Sequence, residues 1–113
     1  TATTADYGTF SQNDIIGIAL DYDNENISVY KNGSAIVTNY NYGALSQSSE
    51  LKDGKTIFPW VAHYASGDIT LNFGNPPYSI SSGNSDANGF GNFEYSVPSG
   101  YYALNTSNLN TYG

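Results

Sequence analysis

Two short runs in the first third of the chain alternate between apolar and polar positions. In the first, Ile16, Ile18 and Leu20 share one parity, with Ile15, Gly17, Ala19 and Asp21 on the other. That period of two predicts a half-buried strand over residues 15–22. Asp23-Asn24-Glu25-Asn26 follows as turn material, because Asx side chains bond their own backbone and tolerate left-handed conformations. Ile27, Val29 and Lys31 then alternate with Ser28 and Tyr30, giving a second strand and hence a hairpin. Asn32-Gly33 ends it with the strongest short turn signal, since a type I′ turn needs positive φ twice.

Beyond this pair the pattern weakens. Residues 1–13 are polar and read as an extended lead-in, and residues 38–54 read as a long surface loop with a short strand possible at Ala44 and Leu45. Phe58, Trp60, Ala62 and Tyr64 share a parity within residues 57–64, which predicts another strand; Pro59 lacks a ladder donor and belongs at an edge or a strand start. Ile69, Leu71 and Phe73 alternate with Thr70 and Asn72, and Gly74-Asn75-Pro76-Pro77 ends that run. Residues 81–92 form a Gly/Ser/Asn-rich loop, long enough to be functional or mobile. Residues 95–97 and 101–104 suggest short strands, and no segment carries a useful helical period. The organisation expected is one domain over residues 1–104 and a polar linker over residues 105–113 leading to further chain, without a clear internal repeat.

Composition narrows the function classes. Charged residues make up 12% of the 113, about half the usual ~25%, so polarity comes from Asn, Ser, Thr, Gly and eleven tyrosines. Three lysines and no arginine face ten carboxylates, for a formal charge of −7. Nucleic-acid binding needs a cationic footprint, which this balance opposes, as it opposes anionic membrane surfaces. Without cysteine there is no disulfide, thiolate catalysis or sulfur-based zinc site. No apolar run approaches the ~18 residues of a spanning helix, and Thr-Ala-Thr-Thr-Ala at the start is not a signal peptide. The missing initiator Met suggests a piece of a longer chain. No cofactor is expected.

The candidate chemistry has plainer readings. His63, the one imidazole, has no nucleophile elbow to serve and reads as a structural or surface residue. Asp21, Asp23 and Glu25 alternate around the first turn, but nothing there would raise a carboxyl pKa as glycoside hydrolysis requires. As a calcium loop the same run lacks glycine at position six, where Asn26 stands, and an acid at position twelve. Trp60, Tyr64, Tyr40, Tyr42, Tyr78, Tyr101 and Tyr102 offer material for a sugar-stacking platform; Trp60 and Phe58 read more simply as core. Tyr40, Asn41 and Tyr42, in a polar loop, resemble a paratope in composition.

The run from Asn13 to Asp23, followed by Ile27-Ser28-Val29-Tyr30-Lys31-Asn32-Gly33, resembles the SPRY domain, a concanavalin-A-like sandwich. Ile57-Phe58-Pro59-Trp60-Val61 and Ile69-Thr70-Leu71-Asn72-Phe73-Gly74 look like that family's "FPAV" and "NFG" strands, in the expected order over residues 11–77. Residues 93–109 resemble the segment that follows SPRY-like modules in tailed-phage tail fibres and other virion surface proteins. Asn13 departs from the Gly usual before Asp14, and the N-terminal half of the sandwich is missing. Half a sandwich would expose an apolar face and sheet edges, so further chain or a neighbouring subunit is expected to supply the rest.

The resemblance implies an all-β, antiparallel β-sandwich, incomplete in this chain, acting without catalysis on a phage-like particle. Its partners would be other virion subunits, including copies of itself, and a host glycan or surface protein. The loop residues expected to bind are Tyr40, Asn41, Tyr42, Asn84, Asp86 and Asn88. The alternatives are a freestanding carbohydrate- or protein-binding module of a cell-surface protein and, less favoured, a glycan-degrading enzyme on the same scaffold.

Overall fold

The computed structural model of the chain describes residues 7–44, 58–64 and 66–112. It divides into two compact units, Thr1–Trp60 and Val61–Gly113. Regular structure among the described residues is a three-stranded antiparallel sheet and one short helix, consistent with an all-β fold.

The first unit is a meander of β1 (Ile16–Asp21), β2 (Asn26–Lys31) and β3 (Ser34–Asn41), with β2 in the centre. Ile18 pairs with Val29, Leu20 with Ile27 and Asp21 with Asn26, as the alternation and the acidic turn require. Asp21 organises that turn: its carboxylate oxygens accept from the Asn24 N–H (3.0 Å) and side-chain amide (2.8 Å). Glu25 closes it at φ 58°. At the second turn Asn32 and Gly33 have φ of 48° and 80°, the double positive φ of a type I′ hairpin.

β3 occupies residues 34–41, the second half of which reads from sequence as surface loop. Its pairing with β2 is irregular: Ile27 faces Tyr40, Val29 faces Val37 and Tyr30 faces Ala35. Two residues, Thr38 and Asn39, therefore stand opposite Ser28, and Ile36 is extra between the next pairs. These bulges erase the period of two that a flat strand would print. Asn39 fits its place in the left-handed region, at φ 49°; its N–H donates to the Ser28 hydroxyl at 2.9 Å. A 3-10 turn, Tyr42–Ala44, follows where a short strand was expected, anchored by the Tyr42 N–H on the Glu25 carbonyl (2.9 Å). A side chain at Gly43 would displace the Glu25 carboxylate, which lies where its Cβ would stand. Leu45 lies outside the described residues.

Burial falls on the less apolar face of the sheet. Ala19 and Ser28, paired across β1 and β2, are buried. On the other face Ile18 is 65% exposed, Leu20 is also exposed, and Ile16, Ile27, Val29 and Val37 are half-buried.

Beyond the sheet and its 3-10 turn, residues 58–64 and 66–112 carry little regular structure. The strands expected over residues 57–64, 69–73, 95–97 and 101–104 are not formed among the described residues; Ile57 lies outside them. Trp60 and Phe58, read from sequence as core, are exposed, Trp60 by 79%. Alternation supplies a strand only where a neighbouring strand accepts its backbone bonds, and these segments have no such neighbour among the described residues. Residues 81–92, expected as a loop, form no strand or helix, and a single bridge, Asn84 with Phe93, closes the loop through two backbone bonds of 2.8 Å. The expected linker holds helix α1 (Thr106–Tyr112), capped by Asn105, whose side-chain oxygen accepts the Asn108 N–H at 3.0 Å.

Candidate functional site

Asp86, a sequence-predicted binding residue, is the centre of the second unit. The backbone turns at residues 86–89, where the Gly89 N–H donates to the Asp86 carbonyl (3.0 Å) and the Asp86 N–H to that of Phe90 (2.9 Å). One carboxylate oxygen accepts the N–H groups of Asn88 and Phe90, both at 2.9 Å. The other accepts the Ala103 N–H at 2.9 Å and the Asn108 amide at 2.7 Å. Asp86 is 6% exposed and Asn108 5%. Burial pushes the Asp86 carboxyl up, but these N–H donors outweigh it and hold it below its ordinary value. A buried carboxylate with four donors is stable as an anion.

From this centre a chain of amides runs outward. Asn108 donates also to the Ala103 carbonyl (2.8 Å), and its side-chain oxygen accepts from Asn88 at 2.8 Å. The Asn88 amide nitrogen reaches the Tyr112 hydroxyl at 3.2 Å, and that hydroxyl lies 3.4 Å from the Asn88 oxygen. Tyr112 packs on Tyr102, ring centroids 4.9 Å apart and planes tilted by 35°. The neighbouring Tyr112 hydroxyl pushes the Tyr102 phenol pKa up.

Asn84, the third predicted residue of this loop, lies at its base. Its amide donates to the Ser82 hydroxyl (2.9 Å) and the Glu94 carbonyl (3.0 Å). The Ser81 hydroxyl donates to the Glu94 carboxylate, which also accepts the Ser81 N–H at 2.8 Å. Those bonds, the hydroxyl's first, hold Glu94 below its ordinary pKa. The structure thus brings Asp86 and Asn88 together, and uses the polar groups of Asp86 and Asn84 internally.

Tyr40, Asn41 and Tyr42 belong to the other unit, at the end of β3 and the start of the 3-10 turn. Asn41 is exposed, Tyr40 half-buried and Tyr42 buried. Sequence reasoning missed Asn108 and Tyr112, having read their segment as linker. Asn105 ahead of a Thr-Ser-Asn run was the cap signal that could have found the helix.

The remaining candidates are less organised. Asp21 is held below its ordinary pKa, first by the Asn24 side chain and then by the Asn24 N–H, the opposite of what a general acid requires. His63 is exposed. Among the described residues no three His, Cys, Asp or Glu are grouped to hold a metal ion, and no helix is long and apolar enough to cross a membrane. Comparison with protein-family models finds no match, and comparisons with curated proteins and with solved structures find none either.

Proposed function

We propose that the chain is a non-enzymatic module of a phage-like virion surface, serving subunit assembly and attachment to a host glycan or protein. Its first unit contributes one sheet of a SPRY-like sandwich, and a neighbouring subunit or further chain contributes the facing one. The observation that carries this reading is the open apolar face of β1 and β2, with Ile18 65% exposed. A three-stranded sheet needs a covered hydrophobic face for independent stability; one that leaves such a face in water is half of a core.

Asn13 adds local support. It stands where the resembled pattern carries glycine, and its φ is 69°, a region Asn enters with little penalty. The substitution keeps the backbone the glycine would have allowed. The low pKa of Asp21 favours a structural turn over acid catalysis at that place.

Immunogold labelling of purified particles with antibody raised against this chain tests the proposal. Many symmetric copies per particle are expected. Particles that stay unlabelled, with the protein recovered free or on a cell envelope, would overturn it in favour of a freestanding binding module.

A further inference from the structure

We infer that Tyr102, Tyr112 and Asn88 form a docking shelf for a neutral glycan on the second unit. The inference rests on the attachment half of the function proposed above and supplies its ligand class.

Exposed tyrosines usually have nothing to hold them. Tyr102 and Tyr112 are 44% and 59% exposed, yet their rings meet at 4.9 Å. Tyr112 is fixed at its far end by Asn88, Asn88 by Asn108 at 2.8 Å, and Asn108 by the buried Asp86 carboxylate at 2.7 Å. A relay from the buried Asp86 carboxylate therefore ends on a solvent-facing ring. Rings set in advance lose little freedom when a ligand arrives, which is where affinity is gained.

The chemistry of the shelf suits a sugar. Aromatic faces take the C–H side of a pyranose, and tyrosine hydroxyls and the Asn88 oxygen can meet its hydroxyls. Two rings of this exposure offer on the order of 200 Å², enough for one or two sugar units and well below the ~800 Å² per partner of a stable protein interface. Asp86 accepts from four N–H groups, so its charge is spent inside. The net charge of −7 opposes anionic glycans.

The test is a ¹⁵N-resolved NMR titration of the full chain with neutral tetrasaccharides of glucose, galactose, mannose and N-acetylglucosamine, up to about ten times a 1 mM Kd. At least one should shift the Asn88 side-chain amide and the Tyr112 N–H saturably. Tyr102→Ala and Tyr112→Ala should each weaken it by roughly tenfold, and Tyr112→Phe, which keeps the ring, by less. Silence across the panel overturns the inference, as does unchanged affinity in Tyr102→Ala. Should Tyr112→Ala unfold the helix, Tyr102→Ala decides alone, since its ring lies outside α1. Equal or tighter binding of a sialylated tetrasaccharide would overturn the neutral assignment. Silence with labelled particles removes the shelf and keeps the virion module; binding with unlabelled particles does the reverse.

Discussion

The two units hold their shape by different means. The first is built on a backbone ladder: three strands, two turns of the right chemistry, and an apolar face left open. The second has almost no ladder and is gathered around one buried carboxylate, which ties the 86–90 turn to Ala103 and to α1. A ladder spreads its bonds over many residues, so one side chain rarely decides it. A hub concentrates them, and each buried partner left behind goes unsatisfied.

Asn108→Ala should therefore produce the largest effect. It removes two buried bonds, to Asp86 and to the Ala103 carbonyl, and one to Asn88. About 2–4 kcal/mol is expected from the second unit, enough to melt a short helix that cannot stand alone. Hydrogen exchange should show the Phe90, Ala103 and Leu109 amides losing protection while Ala19, Val29 and Asn32 keep theirs. Parallel loss in both sets would mean that the units do not unfold separately.

The contrast also explains what could be read without a structure. β1, β2 and both turns were legible because Ile16–Asp21 and Asn26–Lys31 alternate and are bounded by Asp, Asn and Gly in the places turns need them. β3 was half hidden because bulges at Ile36 and at Thr38-Asn39 shift parity twice. The second unit was misjudged because its order comes from contacts such as Asp86 with Asn108, 22 residues apart. A polar Asn/Ser/Gly segment looks the same whether its amides face water or one another. Asp86, Asn84 and Asn88 were singled out by that composition; only Asn88 also reaches an exposed ring.

Asn32→Ala probes the ladder unit in the same way and should cost less, about 1 kcal/mol. Its side chain accepts the Ile15 N–H (2.8 Å) and donates to Asp14 (2.7 Å), but all three groups are close to solvent. It also gives up a residue suited to φ 48°. Urea unfolding followed on the first unit's amides measures it; a loss as large as that of Asn108→Ala would erase the distinction between ladder and hub.

Acid sharpens the comparison. Asp14 is lowered from 3.8 to about 2, first by the Asn32 amide, then by the Ser11 N–H and by Lys31, whose ammonium lies 3.0 Å away. Because the folded value is the lower one, the contribution to stability is complete above 3.8 and is lost as pH falls from there to about 2. Asp14→Asn should reduce the pH dependence of the first unit across that window, with Asp21 keeping a share of it, and leave that of the second, where Asp86 and Glu94 are also lowered, unchanged. A side-chain carboxyl NMR titration gives Asp14 directly; a midpoint near 3.8 would show that the staple to Asn32 and Lys31 is not formed.

Ile18→Thr should have the smallest effect on the isolated chain and the largest meaning for it. Ile18 lies at the middle of β1 opposite Val29, 65% exposed on the apolar face. Threonine keeps the β-branch and the strand preference, so only packing above the sheet is at stake. With the face open, the change stays within about 0.5 kcal/mol. With the face covered, replacing the ethyl arm by a buried hydroxyl would cost about 2 kcal/mol or more. The same substitution in the assembled particle meets the covered case, since the sandwich proposed above places a second sheet over Ile18. A near-neutral urea midpoint for the isolated chain, paired with loss of incorporation into particles, is the result expected. Near-neutrality in both settings would leave the open face without a partner and remove the assembly half of the proposal.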